Sequence, residues 1–356
     1  MKTISKLFII SFLLTGCINQ EILDDVQLVT AVGYDLTEEG LIEATAVFPS
    51  YSPDKLVKNN ALTESAKLSK DIRDKIDRMS PKPLVSGKIE VALFSEAIAK
   101  QGIINILDTF IRDPTTGARM YLAVVEGDVE NKLNKQYSDI DNGMFFSDLI
   151  EHNIDLGIIP RTNLQIFTKS YYAEGRDPVL PFLTLQSNKA FIEGIALFKE
   201  DKYVGKLQGE FNYIFKMLYE KNVNYTVVTV DLENDGSSTS VINVSSKREL
   251  KIKDALTNPI IQLKVTTDSI IREYSGGELD KDLIKEIEKK MEEQIKLEAE
   301  QMIAFFQKLE IDPLGIGYKV KHQHRNWDKE KWNQLYPNAS VEIEVDVIIN
   351  ETGVIN

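Results

Sequence analysis

Cysteine is almost absent from this 356-residue chain, with Cys17 the only one. A disulfide within the chain is therefore excluded, as are the paired CxxC sets that hold zinc or carry redox chemistry. Histidine is nearly as scarce: His152, His322 and His324 are the three present. His322 and His324 stand two apart in a stretch that reads as a strand, where they would share a face with a carboxylate such as Asp328 in reach. A third ligand at zinc spacing cannot be named, so no metal site is assigned. Long hydrophobic runs are missing as well. Beyond the first 16 residues no apolar stretch approaches the roughly 18 residues that a membrane-crossing helix needs. The signatures GxSxG, HExxH, GxxxxGK[ST] and a strand-borne GxGxxG do not occur, which leaves no catalytic residue and no cofactor site to assign. Positive charge is in deficit too, with 42 basic side chains against 55 acidic and a net charge of −13. The densest basic stretch, "KDIRDKIDR" from Lys70 to Arg78, is interleaved with aspartate. Nucleic acid is excluded as a partner, because phosphate recognition requires a basic stripe.

What is present begins at the lone thiol. Lys2 and Lys6 precede the apolar run Leu7–Leu14 ("LFIISFLL"), and the small residues Thr15 and Gly16 follow it. This is the layout of a secretory signal. At about 1.5 Å per residue, eight helical residues cover about 12 Å of a hydrocarbon core of roughly 30 Å, so the run is too short to span. Leu14-Thr15-Gly16-Cys17 resembles the bacterial lipobox, which implies S-diacylglycerol modification of Cys17, cleavage before it, and a new N-terminal amine open to acylation with a chain such as palmitate. Loss of residues 1–16 removes two lysines and no acid, leaving 40 basic against 55 acidic side chains. An anionic bilayer would repel such a surface, so attachment falls to the acyl chains, of which two suffice for stable anchoring.

The remaining chain, with 43% hydrophobic residues overall, is long enough for two or three domains with cores of their own. "VQLVTAVGYD" and "LIEATAVF" read as a hairpin across "LTEEG". The spacing of Leu62, Ala66, Ser69, Ile72, Ile76 and Met79 predicts one helix over 61–79, ended by "SPKP". "KIEVALFS" follows as a strand, "EAIAKQGIINILDTFIRDP" as a helix up to Pro114, and "ARMYLAVVEG" as a strand. "DPTTG" at Asp113–Gly117 reads as a turn. Helices are expected near 144–153 and 161–173, then two strands around "KEDK" and a helix from Glu210 to Glu220. "YTVVTVDL", "SVINVSSKRELKI" and "IIQLKVTTDSIIREY" form an antiparallel meander. A long helix over 279–309 keeps Ile284, Ile287, Met291, Ile295, Ala299, Met302, Phe306 and Leu309 on one face, with Glu286/Lys290 and Glu292/Lys296 as exposed pairs. It is expected to cover the meander. "IGYKVKHQHRNW" reads as a strand, and "ASVEIEVDVII" as the last one. The fold class is thus α+β and multi-domain. The expected organisation is a signal peptide at 1–16, an N-terminal α+β domain at 17–125, a middle segment or small domain at 126–189, and a C-terminal α+β domain at 190–356.

Six ordered pieces resemble one family. The lipobox, "AVGYDL", "EAIAKQGIINILDTFIRDP", "GRDPVLPFL", "IEGIALFKEDKYVGKL" and "DPLGIG…W…W" before a strand are similar, over nearly the whole chain, to the Ger(x)C lipoproteins, the C subunits of nutrient germinant receptors of spore-forming bacteria. The resemblance implies a three-domain α+β ectodomain on the extracytoplasmic face of the spore inner membrane. It also implies integral membrane A and B subunits as partners, a bilayer anchor through acylated Cys17, no cofactor and no catalysis. The rival reading is a solute-binding lipoprotein of an ABC transporter, whose repeated βα lobes would close on an interdomain cleft; the meander at 225–274 speaks against that topology.

Overall fold

The computed structural model describes residues 25–51, 57–186, 189–223, 226–232, 237–277 and 279–352. In chain order, the first part contains β1 (Gln27–Leu28), β2 (Ala31–Leu36), β3 (Ile42–Tyr51), β4 (Val57–Ala66), α1 (Ser69–Met79), β5 (Leu84–Val85), β6 (Val91–Ser95), α2 (Glu96–Gln101), α3 (Ile104–Arg112) and β7 (Tyr121–Val125). Next come α4 (Val129–Leu133), α5 (Asn142–Asp155), α6 (Leu164–Tyr172), β8 (Val179–Gln186), β9 (Lys189–Lys199), β10 (Lys202–Gln208) and α7 (Asn212–Tyr219). The last part holds β11 (Asn222–Val223), β12 (Thr226–Asp231), β13 (Ser238–Lys253), β14 (Ile260–Tyr274), α8 (Lys281–Lys308), α9 (Ile316–Gln323), α10 (Lys329–Leu335) and β15 (Ser340–Thr352).

Eight strands join in the order β10-β9-β8-β7-β6-β2-β3-β4. The central β2, β6, β7 and β8 run parallel, and antiparallel hairpins flank them on both sides. This explains why "VALFS" is apolar without alternation: all five residues of β6 are buried, as in strands covered on both faces. On one face Ala92, Phe94, Leu122 and Val124 pack with Ile72, Ile106 and Phe167 of α1, α3 and α6. On the other, Val91, Leu93, Ala123 and Val125 pack with α4 and α5 through Val129, Leu133, Phe146 and Ile150. That second core continues through Ile195, Leu197 and Phe215 into the C-terminal layers. The sheet therefore draws strands from all three segments divided at 125 and 189 in the sequence.

Two local expectations are corrected here. Residues 61–66 belong to β4, which pairs with β3 along its whole length; "ALTESA" has helical propensity, but strand pairing at the sheet edge overrides it. The helix begins only at Ser69, and Ile72 and Ile76 are its buried residues. The helix expected through 96–113 is two helices, broken at Gly102, whose φ of +114° is open to glycine and strained for other residues. "DPTTG" is a turn as expected, with the Asp113 carboxylate accepting from the N–H (2.9 Å) and hydroxyl (2.6 Å) of Thr115.

Gly33 on β2 serves a close approach. A Cβ there would lie 2.5 Å from Val129 Cγ1 and 2.6 Å from Leu133 Cδ1, so only glycine lets α4 lie flat on the sheet. Gly33→Ala should cost about 1–3 kcal/mol as an overpacking change, read as a lower thermal midpoint. An unchanged midpoint would show that α4 moves aside without penalty.

In the C-terminal sheet β11 and β12 both pair with β13, followed by β14 and β15. β12, β13 and β14 are the expected antiparallel meander. β15 joins β14 in parallel, because α8, α9 and α10 carry the chain back to the start of β14's direction. α8 buries Ile287, Met291, Ile295, Ala299, Met302 and Phe306 against this sheet, the face read from their spacing. Its polar side is busier than the spacing suggests. Glu288 accepts the N–H of Ile349 (2.8 Å) and Glu292 that of Val347 (3.1 Å). Glu292 is thus no simple exposed partner of Lys296; it occupies backbone donors that the edge strand β15 would otherwise leave open.

Candidate functional site

Four aspartates within the family-like pieces, Asp35, Asp177, Asp201 and Asp312, accept backbone donors at turns and helix starts. Asp35 of "AVGYDL" accepts from the N–H groups of Val129 and Glu130, both at 3.0 Å, at the start of α4. Asp201 of "FKEDK" accepts from Ile104 N–H (3.1 Å) at the start of α3. These placements satisfy orphan helix donors and put negative charge at a positive dipole end. They also join pieces some 95 residues apart in the chain.

The largest such joint links "GRDP" to "IDPLGIG". Asp177 accepts from Glu200 N–H (2.9 Å) and Asp312 N–H (2.7 Å), and its own N–H donates to the Asp312 carbonyl (3.0 Å). The Asp312 carboxylate accepts from Ile316 (3.0 Å) and Gly317 (2.6 Å), the first residues of α9. Tyr318 N–H donates to the Gly175 carbonyl at 2.7 Å. Burial pushes Asp312 up to about 7, against the pull of its two N–H donors, while the neighbouring Asp177 charge raises it and Arg176 lowers it. Asp177 is also raised by burial, and Tyr336 stays protonated by burial beside both carboxyls. Trp332, stacked on Tyr336 with ring centroids 5.8 Å apart, closes the joint. The cavity here is only about 90 Å³, well below the roughly 300 Å³ at which small-molecule pockets begin. A paired acid in such a space holds the backbone in place; it has no room for a substrate.

The histidines do not come together. "IGYKVKHQ" is helix α9, not a strand, because Asp312 caps it and Ile316 and Val320 bury its inner face. His322 sits on that helix with Nδ1 2.8 Å from the Tyr318 carbonyl, His324 ends it, and the Asp328 carboxylate accepts from Lys331 N–H at the start of α10. Among the described residues no group of three or more His, Cys, Asp or Glu could hold a metal ion. Cys17 and the signal segment lie outside the described residues.

A cleft of about 530 Å³ has the size of a ligand pocket and a largely apolar lining. Its floor is Val32, Tyr34, Ala44 and Ala46 of β2 and β3, and its walls include Ile72 and Ile76 of α1 and Phe110 of α3. The Tyr34 ring stacks on Phe94 (5.5 Å) and meets Phe110 edge-on (6.2 Å). At the rim, Arg73 pairs with Asp113 (3.0 Å) and Arg112 with Asp108 (2.6 Å). The sequence pointed to none of these as a site. Their one signal is the pair of small residues, Ala44 and Ala46, on a single face of β3. The cleft lies on one face of the eight-stranded sheet, not between two βα lobes.

An eight-stranded mixed sheet, joined through paired acids to a second sheet under one long helix, defines an α+β protein whose quoted pieces build joints. Comparison with known proteins identifies its kind. A family model described as "Spore germination protein N-terminal domain" matches residues 19–185, and one described as "Spore germination B3/ GerAC like, C-terminal" matches 193–353. The chain belongs to this family of spore germination proteins, the one its motifs resemble. It is 28% identical to spore germination protein GerQC of Bacillus cereus, over 99% of both chains. To spore germination protein KC of Bacillus subtilis (strain 168) it is 20% identical, over 96% of this chain and 93% of that one. The crystal structure of the GerBC protein superposes with a TM-score of 0.61 at 17% identity, covering 91% of this chain and 99% of that one, so the fold is shared.

Proposed function

We propose that this protein is the lipid-anchored, non-catalytic C subunit of a nutrient germinant receptor, held at the extracytoplasmic face of the spore inner membrane and working through contacts with integral A and B subunits. The observation that carries the reading is the family match across residues 19–353. Two features support it. No described helix is long and apolar enough to cross a membrane, so a family member that works at a membrane needs another attachment, and Cys17 supplies one. Four aspartates of the quoted pieces, Asp35, Asp177, Asp201 and Asp312, moreover, are spent on backbone joints.

Cys17→Ala tests the anchor. The substitution lies ahead of every described contact, so the fold should survive, yet the acidic chain has no polybasic patch to replace two acyl chains. The expected outcome is a variant that is uncleaved or lost from the membrane, with germination reduced. Mass spectrometry of the mature N-terminus checks it: unmodified Cys17 with normal membrane retention would sink the anchor. Recovery of the lipoprotein alone from gently solubilised spore membranes, with the integral subunits intact, would count against the partners.

A further inference from the structure

The cleft beneath α1 has features that the joints and the anchor leave unused. Its floor and walls are largely apolar, and the hydroxyl of Tyr34, which lines it, makes no hydrogen bond to any described residue. With the residue 7% exposed, the hydroxyl has a donor to offer a ligand that enters the cleft. Burial raises its pKa, so it stays a donor at neutral pH, and the Arg73 guanidinium bears on it electrostatically. Arg73 spends one amine on Asp113, leaving most of its fork free. The rim is balanced in charge, with Lys70, Arg73 and Arg112 against Asp74, Asp108 and Asp113, so an anion's partners here are the N–H and O–H donors of Arg73 and Tyr34. Asp108 and Asp113 are already paired. Asp74 also faces the groove on the other side of α1 with Lys75 and Arg78. Lys70 lines the mouth with no ion pair to a described residue.

We propose that this cleft binds a small amphipathic carboxylic acid. Its hydrocarbon or aryl body would lie between Ile72, Ile76 and Phe110 on the helix side and Ala44 and Ala46 on the sheet, with its carboxylate accepting from the Tyr34 hydroxyl and the Arg73 guanidinium. The two alanines matter because any larger side chain on that face of β3 would occupy the space of the ligand's body. The site is independent of the receptor reading and of Cys17, so either can fail without the other.

The test uses the full chain in mild detergent, which keeps it in solution with or without the acyl anchor, with protein-free detergent as the blank and 3-phenylpropionate as the probe, followed by ligand-observed NMR. Saturable binding is expected, with 3-phenyl-1-propanol weaker by about tenfold, the worth of one charge-assisted hydrogen bond. Tyr34→Phe, which keeps the ring and its stacking, should weaken the acid by about tenfold and the alcohol, whose bond is not charge-assisted, by clearly less. Ala46→Phe should abolish both. No saturable binding above the blank would overturn the proposal, as would equal affinity for acid and alcohol, equal effects of Tyr34→Phe on the two, or full binding by an Ala46→Phe protein that melts like the wild type. Should Ala46→Phe fail to fold, Tyr34→Phe decides.

Discussion

Asp312→Ala should destabilise the C-terminal half by about 2–6 kcal/mol, since it strips the acceptors from two buried N–H groups, those of Ile316 and Gly317, at about 1–3 kcal/mol each. Both tryptophans, Trp327 and Trp332, lie in this half, and Trp332 is 3% exposed beside the joint. Tryptophan emission during urea unfolding therefore reports the relevant transition even if the halves unfold separately. Asp312→Asn separates charge from hydrogen bonding. The folded-state pKa of Asp312 is raised, from 3.8 to about 7, so between those values the folded protein holds a proton that the unfolded chain has released. Its contribution is fully present below about pH 4 and is lost as pH rises through 7. At about 1.4 kcal/mol per pKa unit, the wild type should lose on the order of 4 kcal/mol relative to Asp312→Asn across that window. Parallel stability–pH curves for the two proteins would show that the carboxyl is ionised throughout, held by its two N–H donors and Arg176.

The second large effect is expected at Phe306. It is fully buried, edge-on to Phe215 with centroids 5.9 Å apart, where α8 meets α7 and the sheet. Phe306→Ala should cost about 3–5 kcal/mol, the lost burial plus the cavity left behind. Lys289→Ala, on the exposed side where Lys289 faces Glu293 at 3.8 Å, should cost a few tenths of a kcal/mol at most, as exposed ion pairs do. Similar small losses at both positions would mean that α8 does not cover the sheet.

The contrast between these two residues shows how the sequence could be read. The buried face of α8 was legible because a helix lying on a sheet must repeat apolar residues at its own period, and Ile287 to Phe306 do so. The meander was legible because three strand-like runs follow one another with turns and no intervening helix. Residues 61–66 were misread since Leu62 and Ala66 happen to continue the spacing of Ile72 and Ile76, and a one-dimensional pattern carries no information about the β3 edge that recruits them. His322 and His324 were misplaced for a similar reason: the cap that starts α9 comes from Asp312, across a loop that reads only as a break.

Composition and local pattern alone determined that this is an acidic α+β chain with one cysteine and none of the common catalytic signatures, with that thiol at a lipobox-like position and a long helix of known buried face. Those properties depend on residue identity and short-range spacing, which a sequence states directly. Only the tertiary structure decided that one eight-stranded sheet runs from residue 31 to residue 208, that Asp35, Asp177 and Asp201 serve helix starts and turns distant in the chain, and that Tyr34 and Arg73 line one cleft. Each of these depends on which distant segments are brought into contact. That is settled by burying both faces of the sheet and pairing every buried backbone group, a balance over the whole chain that no local stretch contains.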